Sequence, residues 1–526
     1  MKLILRQIAL PPDAPEKEAE QAALKKLKAA GISAYNAKIC RVSVDGRKKN
    51  DIKFVYSVTA ECIGASDRAI YKAGAEKLFE PDINVTYGKE QRHGKIAVIG
   101  FGPAGIFAAL MLAENGYGTV IYERGKSVSE RAADIEKFKA DGILDTESNV
   151  QFGAGGAGTF SDGKLITRIN DPACSLVLKR LAGFGAPENI LTDARPHIGT
   201  DILQTVISNV TDHLLSRGVQ IRFESKVEKI SESLKGISIR TADGEEYYDA
   251  AVLAAGHSAR DTYKMLYSER VKMEKKPFSV GCRIEHLQSD IDAAMYGEGL
   301  EKYREFLPHA EYNLSFRENG RGVYSFCMCP GGSVICASTE RDGIVTNGMS
   351  CSKRDGKNAN SAIAVSVLPE DLPADLLSGI DFQRSIERAA FSISGRFSAP
   401  VQTLDSFLYG GKNEITKIVP TFKPSVITAE INNVFPSFIT DFLKKGLYEF
   451  DKKIKGFADK AAVLTAPETR TSSPLRILRN GEYFSDSIPS LYPCGEGAGY
   501  AGGITSAAAD GINTACKIMS RFKPDK

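Results

Sequence analysis

Apolar and polar positions alternate along the first 90 residues in a way that predicts a small, separate domain. Alternation with a period of two indicates strands, and apolar residues at helical spacing indicate helices. Asp45-Gly46 lies between two alternating segments, which predicts a hairpin. The pattern predicts strands and helices in the order β-α-β-β-α-β, at Lys2–Ala9, Glu16–Ala30, Ala34–Val44, Ile52–Cys62, Asp67–Leu78 and Ile83–Tyr87.

The segment KIAVIGFGPAGIFAALMLAENGYGTVIYERG at 95–125 combines an apolar strand, a glycine-rich turn, a helix and a second strand. Here Gly100 permits a tight turn, Gly102 lets the backbone approach a pyrophosphate, and Gly105 lets the helix pack closely on the strand. Amide groups at a helix start bind phosphate. Glu123 ends the second strand, where a carboxylate accepts hydrogen bonds from a ribose hydroxyl. The combination predicts a dinucleotide-binding site.

The later hydrophobic pattern predicts that this nucleotide-binding domain is interrupted in sequence. A buried strand at Tyr248–Gly256 and a terminal helix at Ile504–Phe522 continue it. Between them lie many short segments with Gly, Pro and Asn turns, which indicate a mixed-sheet substrate or cap domain. We therefore predict an α/β, three-layer Rossmann-type fold with an inserted α+β cap domain and an N-terminal ferredoxin-like α+β domain, with limits 1–90, 95–276, 277–466 and 467–526.

Composition restricts the function classes. The chain has 526 residues, enough for two or three domains. No apolar run approaches membrane-spanning length, and the first residues lack the cleavage site of a signal peptide. The ten cysteines include no Cys-x-x-Cys pair, so we expect a reduced, cytoplasmic protein without a metal site.

Charge gives one candidate interaction surface. The formal net charge of +3 does not predict nucleic-acid binding, although the hairpin residues Arg47, Lys48 and Lys49 concentrate positive charge. Such a run is most often a solvated face, and the alternative is a contact with an anion, RNA or a protein partner. We favour the solvated hairpin and retain the RNA contact as the alternative.

Several motifs together carry a family resemblance. The order GFGPAG…ERG, VLAAG and LYPCGEGAGYAGGITSAAADG is similar to that of the two-dinucleotide-binding-domain flavoproteins, the superfamily that includes glutathione reductase. More narrowly, NVQFGAGGAGTFSDGKL, YSFCMCPGG, ETRTSSPLRI and the VDGRKK hairpin resemble a bacterial family of FAD-dependent dehydrogenases of unassigned substrate, whose members carry an N-terminal ferredoxin-like domain. The resemblance covers nearly the whole chain. It implies a glutathione-reductase-like fold, non-covalent FAD and oxidoreductase chemistry.

The resemblance also implies roles for individual residues. The backbone of Val227 would contact the adenine, and Glu496 replaces the commoner Asp near the ribityl and phosphate region. The helix start after Gly502 would face the flavin pyrimidine, where a helix dipole stabilises the negative charge of reduced flavin. The implied FAD-binding residues are Gly100, Gly102, Pro103, Ala104, Gly105, Glu123, Arg124, Val227, Ala255, Gly256, Gly495, Glu496, Gly502, Gly503 and Ile504.

A second glycine run, Gly153–Gly158, is not followed by a helical pattern. We interpret it as a loop near the flavin that presents Lys164, and a covering loop without chemistry is the alternative. Without a second nucleotide fingerprint, any NAD(P)H that reduces the flavin would visit the substrate domain transiently. Cys327 and Cys329 alternate on a predicted strand, so we expect both thiols on one face. Such thiols could exchange electrons with flavin, but a buried structural role is commoner.

Three further side chains are candidates for catalysis. His257 follows the turn at Gly256, and His197 lies near another cofactor segment. An imidazole there would suit proton transfer, although a structural role is commoner. Arg470 stands with Arg476 in a hydroxyl-rich turn, where it would grip a carboxylate or phosphate or form a structural ion pair.

The function expected from these residues is hydride transfer between FAD and a small organic substrate or NAD(P)H. One alternative is an RNA-binding or partner-binding flavoprotein that uses the basic hairpin, as a tRNA-modifying flavoenzyme would. Another is a redox sensor whose flavin changes a partner interaction.

Overall fold

The computed structural model describes residues 1–79 and 83–525. Its N-terminal part forms an antiparallel sheet packed against helices, with the elements β1 (Lys2–Leu10), α1 (Lys17–Ala29), β2 (Ala34–Asp45), β3 (Lys53–Cys62), α2 (Asp67–Ala73) and β4 (Ala75–Lys77). The strands lie in the order β2-β3-β1-β4. One face of α1 is buried against the sheet, in the same apolar cluster as the inward residues of β1 and β3. The predicted element order is present.

The last two elements of this part differ from their predicted positions. Helix α2 ends at Ala73, because Gly74 adopts the left-handed conformation with φ 66° and terminates the helix. Strand β4 follows immediately, so the strand predicted at Ile83–Tyr87 is wrong. The described residues of that segment lie against the C-terminal part of the chain instead, where Gly88 donates its amide to the Met519 carbonyl at 2.8 Å.

The next segment begins a parallel sheet. It contains β5 (Ile96–Ile99), α3 (Pro103–Glu114), β6 (Thr119–Tyr122), α4 (Val128–Asp141), α5 (Pro172–Gly183), α6 (Thr200–Ser216), β7 (Gln220–Arg222), β8 (Lys229–Ser233), β9 (Gly236–Thr241), β10 (Gly244–Tyr248), β11 (Ala250–Leu253), α7 (Arg260–Ser268) and β12 (Met273–Lys275). Every residue of β5, β6 and β11 is buried, as in parallel strands covered on both faces. Strands β8, β9 and β10 form a separate antiparallel sheet.

A large mixed sheet, here called the cap sheet, follows. The elements of this region are β13 (Phe278–Leu287), α8 (Gln288–Tyr296), α9 (Glu298–Tyr303), β14 (Ser315–Glu318), β15 (Arg321–Cys329), β16 (Ser333–Cys336), β17 (Thr346–Met349), β18 (Asn358–Val367), α10 (Ser378–Ser392), β19 (Ser398–Thr403), α11 (Leu404–Tyr409), β20 (Ser425–Thr428), α12 (Ser437–Lys453) and β21 (Val463–Glu468). The cap sheet has the order β14-β15-β18-β13-β21-β19-β20, and β16 pairs with β17. Its central strand β13 is buried along nearly its whole length.

The C-terminal segment returns to the parallel sheet. It adds β22 (Leu475–Ile477), β23 (Leu491–Pro493) and α13 (Ile504–Arg521). The parallel sheet has the order β23-β11-β5-β6-β7, so two separate parts of the chain build it. The mixed α/β architecture is confirmed. Within residues 1–79 and 83–525, no helix is long and apolar enough to cross a membrane.

The basic hairpin between β2 and β3 lies against α8 and α9. Lys49 donates its Nζ proton to the Ala294 carbonyl at 2.7 Å, and Arg47 pairs with Asp45 at 2.6 Å. Ile52, which is 1% exposed, belongs to the same apolar cluster as the cap sheet. Two of the three basic groups are therefore engaged in contacts within the chain.

Candidate functional site

A cleft of about 1150 Å³ opens between the carboxyl ends of β5 and β11 and the cap sheet. The carboxyl ends of parallel strands are where open α/β sheets bind ligands. Drug-sized ligands typically occupy pockets of about 300–1,000 Å³, so this cleft has room for a dinucleotide and part of a second molecule.

The predicted glycine turn forms one end of the cleft. Gly100 has φ 101°, and a Cβ there would overlap the Ala254 carbonyl at the end of β11. Gly105 does not line the cleft. A Cβ at Gly105 would overlap the Gly100 carbonyl, so this glycine allows α3 to pack closely against the turn, and its contact with the cofactor stays a prediction.

Two helix N-termini open into the cleft. Helix α3 begins after Gly102 and α13 after Gly503, and neither N-cap residue supplies a side-chain hydrogen bond to its helix. The two helices pack closely, since a Cβ at Gly511 would overlap the Ala104 carbonyl. A Cβ at Gly502 would meet nothing within 4 Å. Amide groups at uncapped helix starts and the helix dipoles favour anions at these two places.

The loop Gly153–Gly158 covers both helix starts. A Cβ at Gly156 would contact the Gly102 Cα at 2.9 Å, and a Cβ at Gly158 would contact Ile504. Arg131 of α4 is completely buried beneath this loop and fixes its backbone. Its guanidinium donates hydrogen bonds to five main-chain carbonyls, those of Asn149, Val150, Gly153, Ala154 and Gly156. Arg131 therefore fixes the backbone of a cleft wall.

Glu123 lies at the end of β6, as predicted, with its carboxylate turned toward backbone amides. One oxygen accepts from Phe101 at 2.8 Å, and the other accepts from Gly125 at 2.9 Å and Gly153 at 3.0 Å. A carboxylate offers about four acceptor positions, so one position remains for a ribose hydroxyl. The side chain also fastens the glycine turn to the covering loop, a role that the sequence did not predict.

The predicted adenosine end contains Arg124 and Val227, both in the cleft wall. Arg124 forms two hydrogen bonds to Asp261, at 2.9 and 3.1 Å, and stacks over the ring of Phe152 at 4.4 Å. Its guanidinium is thus fixed by the protein. Val227 is buried beside it.

A group of titratable side chains lies on the other side of the cleft, next to the loop that leads to α13. The Nε2 of His257 lies 3.0 Å from the Arg470 carbonyl, which assigns the proton to Nε2. The Nδ1 then faces Glu496 Oε1 at 3.8 Å. Burial, reinforced by Arg470, lowers the pKa of His257 to about 4. Burial raises the pKa of Glu496 to about 7, and Lys276 opposes that rise.

Arg470 reaches the cleft, but its guanidinium belongs to a buried ion-pair network. Such a structural ion pair was the alternative to binding a substrate carboxylate or phosphate. Its guanidinium lies 3.2 Å from Glu387, and Arg260 binds the same carboxylate through two hydrogen bonds of 2.7 Å. Burial opposes ionisation of Glu387, but the two guanidiniums lower its pKa to about 2. Arg470 also donates to the Thr339 hydroxyl at 2.7 Å. The expected grip on a substrate anion is not supported by this arrangement.

Lys164 lines the cleft, and His197 does not. The Nζ of Lys164 lies 3.8 Å from Glu311 Oε2, so its charge is balanced at the cleft wall. The Nε2 of His197 lies 3.2 Å from the Ser352 carbonyl, outside the cleft, and burial lowers the pKa of this imidazole. The catalytic role predicted for His197 stays a prediction, and its side chain does not line the cleft in this structure.

Cys327 and Cys329 both belong to β15, but they do not follow a simple alternation. The pairing with β18 shifts by one residue between Phe326 and Cys329, which is a β-bulge. Cys327 adopts φ 46° and lines the cleft, whereas Cys329 is completely buried. The two thiols therefore differ in exposure, contrary to the prediction.

Comparison with known proteins defines the family. A protein of Clostridium beijerinckii, described as an uncharacterized protein, is 43% identical over 518 residues, which covers 96% of each chain. The chain belongs to the family of this clostridial protein. Residues 277–471 match a family described as "FAD-dependent protein, C-terminal domain-like", and residues 1–61 match a domain of unknown function. FAD is therefore the cofactor, as the sequence predicted.

Solved structures of flavoproteins show a weaker likeness. CtdE in complex with FAD has 13% sequence identity and a TM-score of 0.32, covering 82% of this chain and 83% of that one. The halogenase PltM has 11% identity and a TM-score of 0.35, covering 81% of this chain and 68% of that one. Values in this range do not establish a shared function.

The donor set of the cleft fits FAD. The amides at the two uncapped helix starts would suit a pyrophosphate and the anionic edge of a reduced flavin. Gly102 and Gly502 leave open space toward the cleft. Most of the predicted residues line this space: Gly100, Gly102, Pro103, Ala104, Glu123, Arg124, Val227, Ala255, Gly256, Glu496, Gly502, Gly503 and Ile504, together with His257, Arg470 and Lys164.

Gly495 is another residue predicted to contact FAD, and it is not among the residues that line the cleft. Its φ is 77°, and its amide donates to Asp510 Oδ2 at 2.7 Å. Asp510 in turn pairs with Arg479 at 2.6 Å. The Gly495 backbone is thus fixed next to Glu496, and its direct contact with FAD stays a prediction.

Sequence reasoning missed Arg131 and Lys276. Arg131 lies on the buried face of α4 with Val128 and Ile135, so a charged residue at an apolar position was the available signal. Lys276 lines the cleft and acts on Glu496, but nothing in the sequence around it separates it from neighbouring surface lysines.

Proposed function

We propose that this chain is an FAD-dependent oxidoreductase that transfers a hydride between FAD and a small organic substrate or NAD(P)H held against the cap sheet. The strand order β2-β3-β1-β4 supports a ferredoxin-like N-terminal domain, and the parallel order β23-β11-β5-β6-β7 supports a glutathione-reductase-like cofactor domain. All ten cysteines are free, which supports a cytoplasmic location.

The observation that carries the proposal is the neighbourhood of Glu496. Bound FAD supplies the two-electron chemistry. The chain supplies a carboxyl group with a pKa of about 7 in the cleft wall, eight residues before Ile504 at the uncapped start of α13. A group that gains and loses a proton near neutral pH is suited to general acid–base catalysis.

His257 and Lys276 influence whether the Glu496 carboxyl group is protonated. The neutral imidazole of His257 keeps its lone pair on Nδ1 toward the carboxyl group, and the ammonium group of Lys276 favours the ionised form. We propose that Glu496 takes the substrate proton that accompanies hydride removal, or returns it in the reverse direction. The cap residues Tyr324 and Asn347, also in the cleft wall, would orient the substrate.

An anaerobic titration of the FAD-loaded chain with NADH, and separately with NADPH, tests the proposal. Bleaching of the flavin absorbance by either nucleotide would identify it as the reductant. If neither bleaches the flavin, a screen of small organic hydride donors follows, with dithionite as the positive control for a reducible flavin. Failure of every donor class, with dithionite reduction intact, would contradict the oxidoreductase proposal.

A further inference from the structure

The two cysteines of β15 suggest a second redox centre beside the flavin. We propose that Cys327 and Cys329 form a redox-active dithiol that exchanges an electron pair with FAD and with a thiol or disulfide substrate in the cleft. This inference rests on the proposed function, because it requires a flavin that gives and takes electrons.

The backbone places the two thiols together at the cleft wall. The β-bulge inserts an extra residue opposite β18, and the positive φ of Cys327 turns the chain out of the extended conformation. The Cys329 Sγ donates a hydrogen bond to the Cys327 backbone carbonyl at 3.3 Å, so the sulfur of Cys329 lies against the residue two positions before it. A bulge that holds the Cys329 sulfur against the backbone of Cys327, beside the cleft, brings the two residues close enough for a side-chain rotation to form a disulfide.

The two thiols differ in a way that suits attack and resolution. Cys327 lines the cleft and can meet an incoming molecule, whereas Cys329 is 0% exposed. Two glycines pack closely against the Cys329 side chain. A Cβ at Gly348 would lie 2.8 Å from the Cys329 sulfur, and a Cβ at Gly332 would lie 3.0 Å from the Cys329 Cβ. In thiol–disulfide exchange, the accessible thiolate attacks and the protected thiol completes the disulfide.

Positive charge stabilises the accessible thiolate. The guanidinium of Arg283 is fully buried, donates to the Cys327 carbonyl at 2.8 Å and is held by Glu468. The hydrogen bond from Cys329 lowers the pKa of the Cys327 thiol, and Arg283 and Lys164 lower it further. The same pairing and burial raise the pKa of Cys329. These interactions favour the thiolate form at Cys327 and the protonated thiol at Cys329.

The electron exchange balances with these two groups. When the Cys327 thiolate and the Cys329 thiol form a disulfide, the S–H bond of Cys329 breaks and the pair gives up two electrons and one proton, for which oxidised FAD would be the acceptor. In the reverse direction the sulfur–sulfur bond breaks, Cys327 leaves as thiolate and Cys329 receives the proton. The Cys327 thiolate would then attack a small disulfide in the cleft and release one of its sulfurs as a thiolate. Cys329 would lose its proton, displace the second sulfur from the mixed disulfide and re-form the Cys327–Cys329 disulfide.

Mass spectrometry of the wild-type, FAD-loaded chain tests the pair directly. The protein is treated with the thiol oxidant diamide, denatured, alkylated with iodoacetamide and digested. We expect the peptide that contains both cysteines to escape alkylation and to be two hydrogen masses lighter, and dithiothreitol to restore two alkylated sites. Alkylation of both cysteines after diamide would overturn the proposal, and this result does not depend on any variant folding.

Reductive titration with dithionite supplies the link to FAD. The oxidised wild-type chain should consume about twice as much dithionite per flavin as Cys327→Ser or Cys329→Ser, because a disulfide is itself a two-electron acceptor. Cys351→Ser, an exposed cysteine outside the cleft, should behave as the wild type. Equal consumption by all four proteins would overturn the proposal. NADH and NADPH are not used, so failure of the nicotinamide titration leaves this result readable.

Discussion

Glu496 shows how a residue type gains its chemistry from its surroundings. Burial raises its pKa to about 7 from the ordinary 4.5, while Lys276 limits the rise. In the folded state the protonated form is favoured, so the stability that Glu496 contributes is greatest below about pH 4.5 and is lost as the pH rises to about 7. Folding stability should therefore depend on this one carboxyl group across the neutral range.

Replacement of Glu496 by Gln should flatten that dependence, because Gln cannot ionise. Between about pH 5 and pH 8 we expect the variant to gain about 1–3 kcal/mol of unfolding free energy relative to the wild type. Urea unfolding of the FAD-loaded proteins at both pH values measures the difference. The variant should also lose the pH dependence of flavin reduction between about pH 6 and pH 8.

Lys276→Met is the matched variant. Removal of the ammonium group should shift the steep part of both pH profiles upward, since Lys276 lowers the pKa of Glu496. Identical pH profiles for the wild type and Glu496→Gln would show that another group titrates in the cleft.

At the scale of single residues, the sequence indicated correctly that certain side chains lie in the cleft. It did not indicate which contacts those side chains make. Glu123 and Arg470 line the cleft as predicted. Glu123, however, binds three backbone amides, and Arg470 shares Glu387 with Arg260. These partners come from distant parts of the chain, so no local pattern identifies them. The bulge at Cys327 likewise depends on its pairing with β18.

At the scale of secondary structure, the N-termini of helices α3 and α13 are the strongest candidates for binding the anionic groups of FAD. Both begin at glycines without a side-chain cap, and both starts lie in the cleft. A Cβ at Gly102 would have ordinary contact with Gly156 at 3.7 Å, and one at Gly502 would meet no atom within 4 Å. The protein itself therefore tolerates a side chain at either position, and only an occupant of the cleft would not.

Gly102→Val and Gly502→Val should accordingly fold and lose FAD. We expect at least a tenfold weaker affinity for FAD, because the side chain would block the approach of the cofactor to the helix start. The absorbance of released flavin after gel filtration measures the loss. Circular dichroism should remain that of the wild type.

Gly481→Val is the control for these two variants. Gly481 is exposed and lies outside the cleft, its φ is not positive, and a Cβ there would meet no atom within 4 Å. This variant should keep its FAD. If Gly102→Val and Gly502→Val also keep their flavin, the helix starts are not the binding site.

Long periodic or motif-bearing elements could be predicted, and elements set by tertiary contacts could not. Helix α13 begins at Ile504, where the pattern predicted it, and the βαβ unit of β5, α3 and β6 matches its glycine pattern. Strand β4 has only three residues and is defined by its pairing with β1. A strand of three residues gives no periodic signal in the sequence. The last strand was therefore predicted at a later apolar segment, Ile83–Tyr87.

At the scale of the whole molecule, the N-terminal domain contacts both the cofactor region and the cap region. Val42 of β2 exchanges main-chain hydrogen bonds of 2.8 Å with Thr192 and Ala194, and Ala194 lines the cleft. On the other side, Ile52 packs against Gly299 of α9. The hairpin predicted as a solvated or RNA-binding face therefore also works as a structural connection between the cap region and the cofactor region.

Ile52→Ala should weaken this connection. Truncation of a buried isoleucine costs about 2–5 kcal/mol, and here the loss falls on the contact between the N-terminal domain and the cap helices. In differential scanning calorimetry we expect a lower first transition that separates from the main one, with FAD retained. Ile63→Ala, at a residue of the same domain that is 83% exposed, should change stability by no more than about 0.5 kcal/mol. If the two variants unfold alike, the hairpin is not docked in solution, and its basic residues become available for the RNA contact.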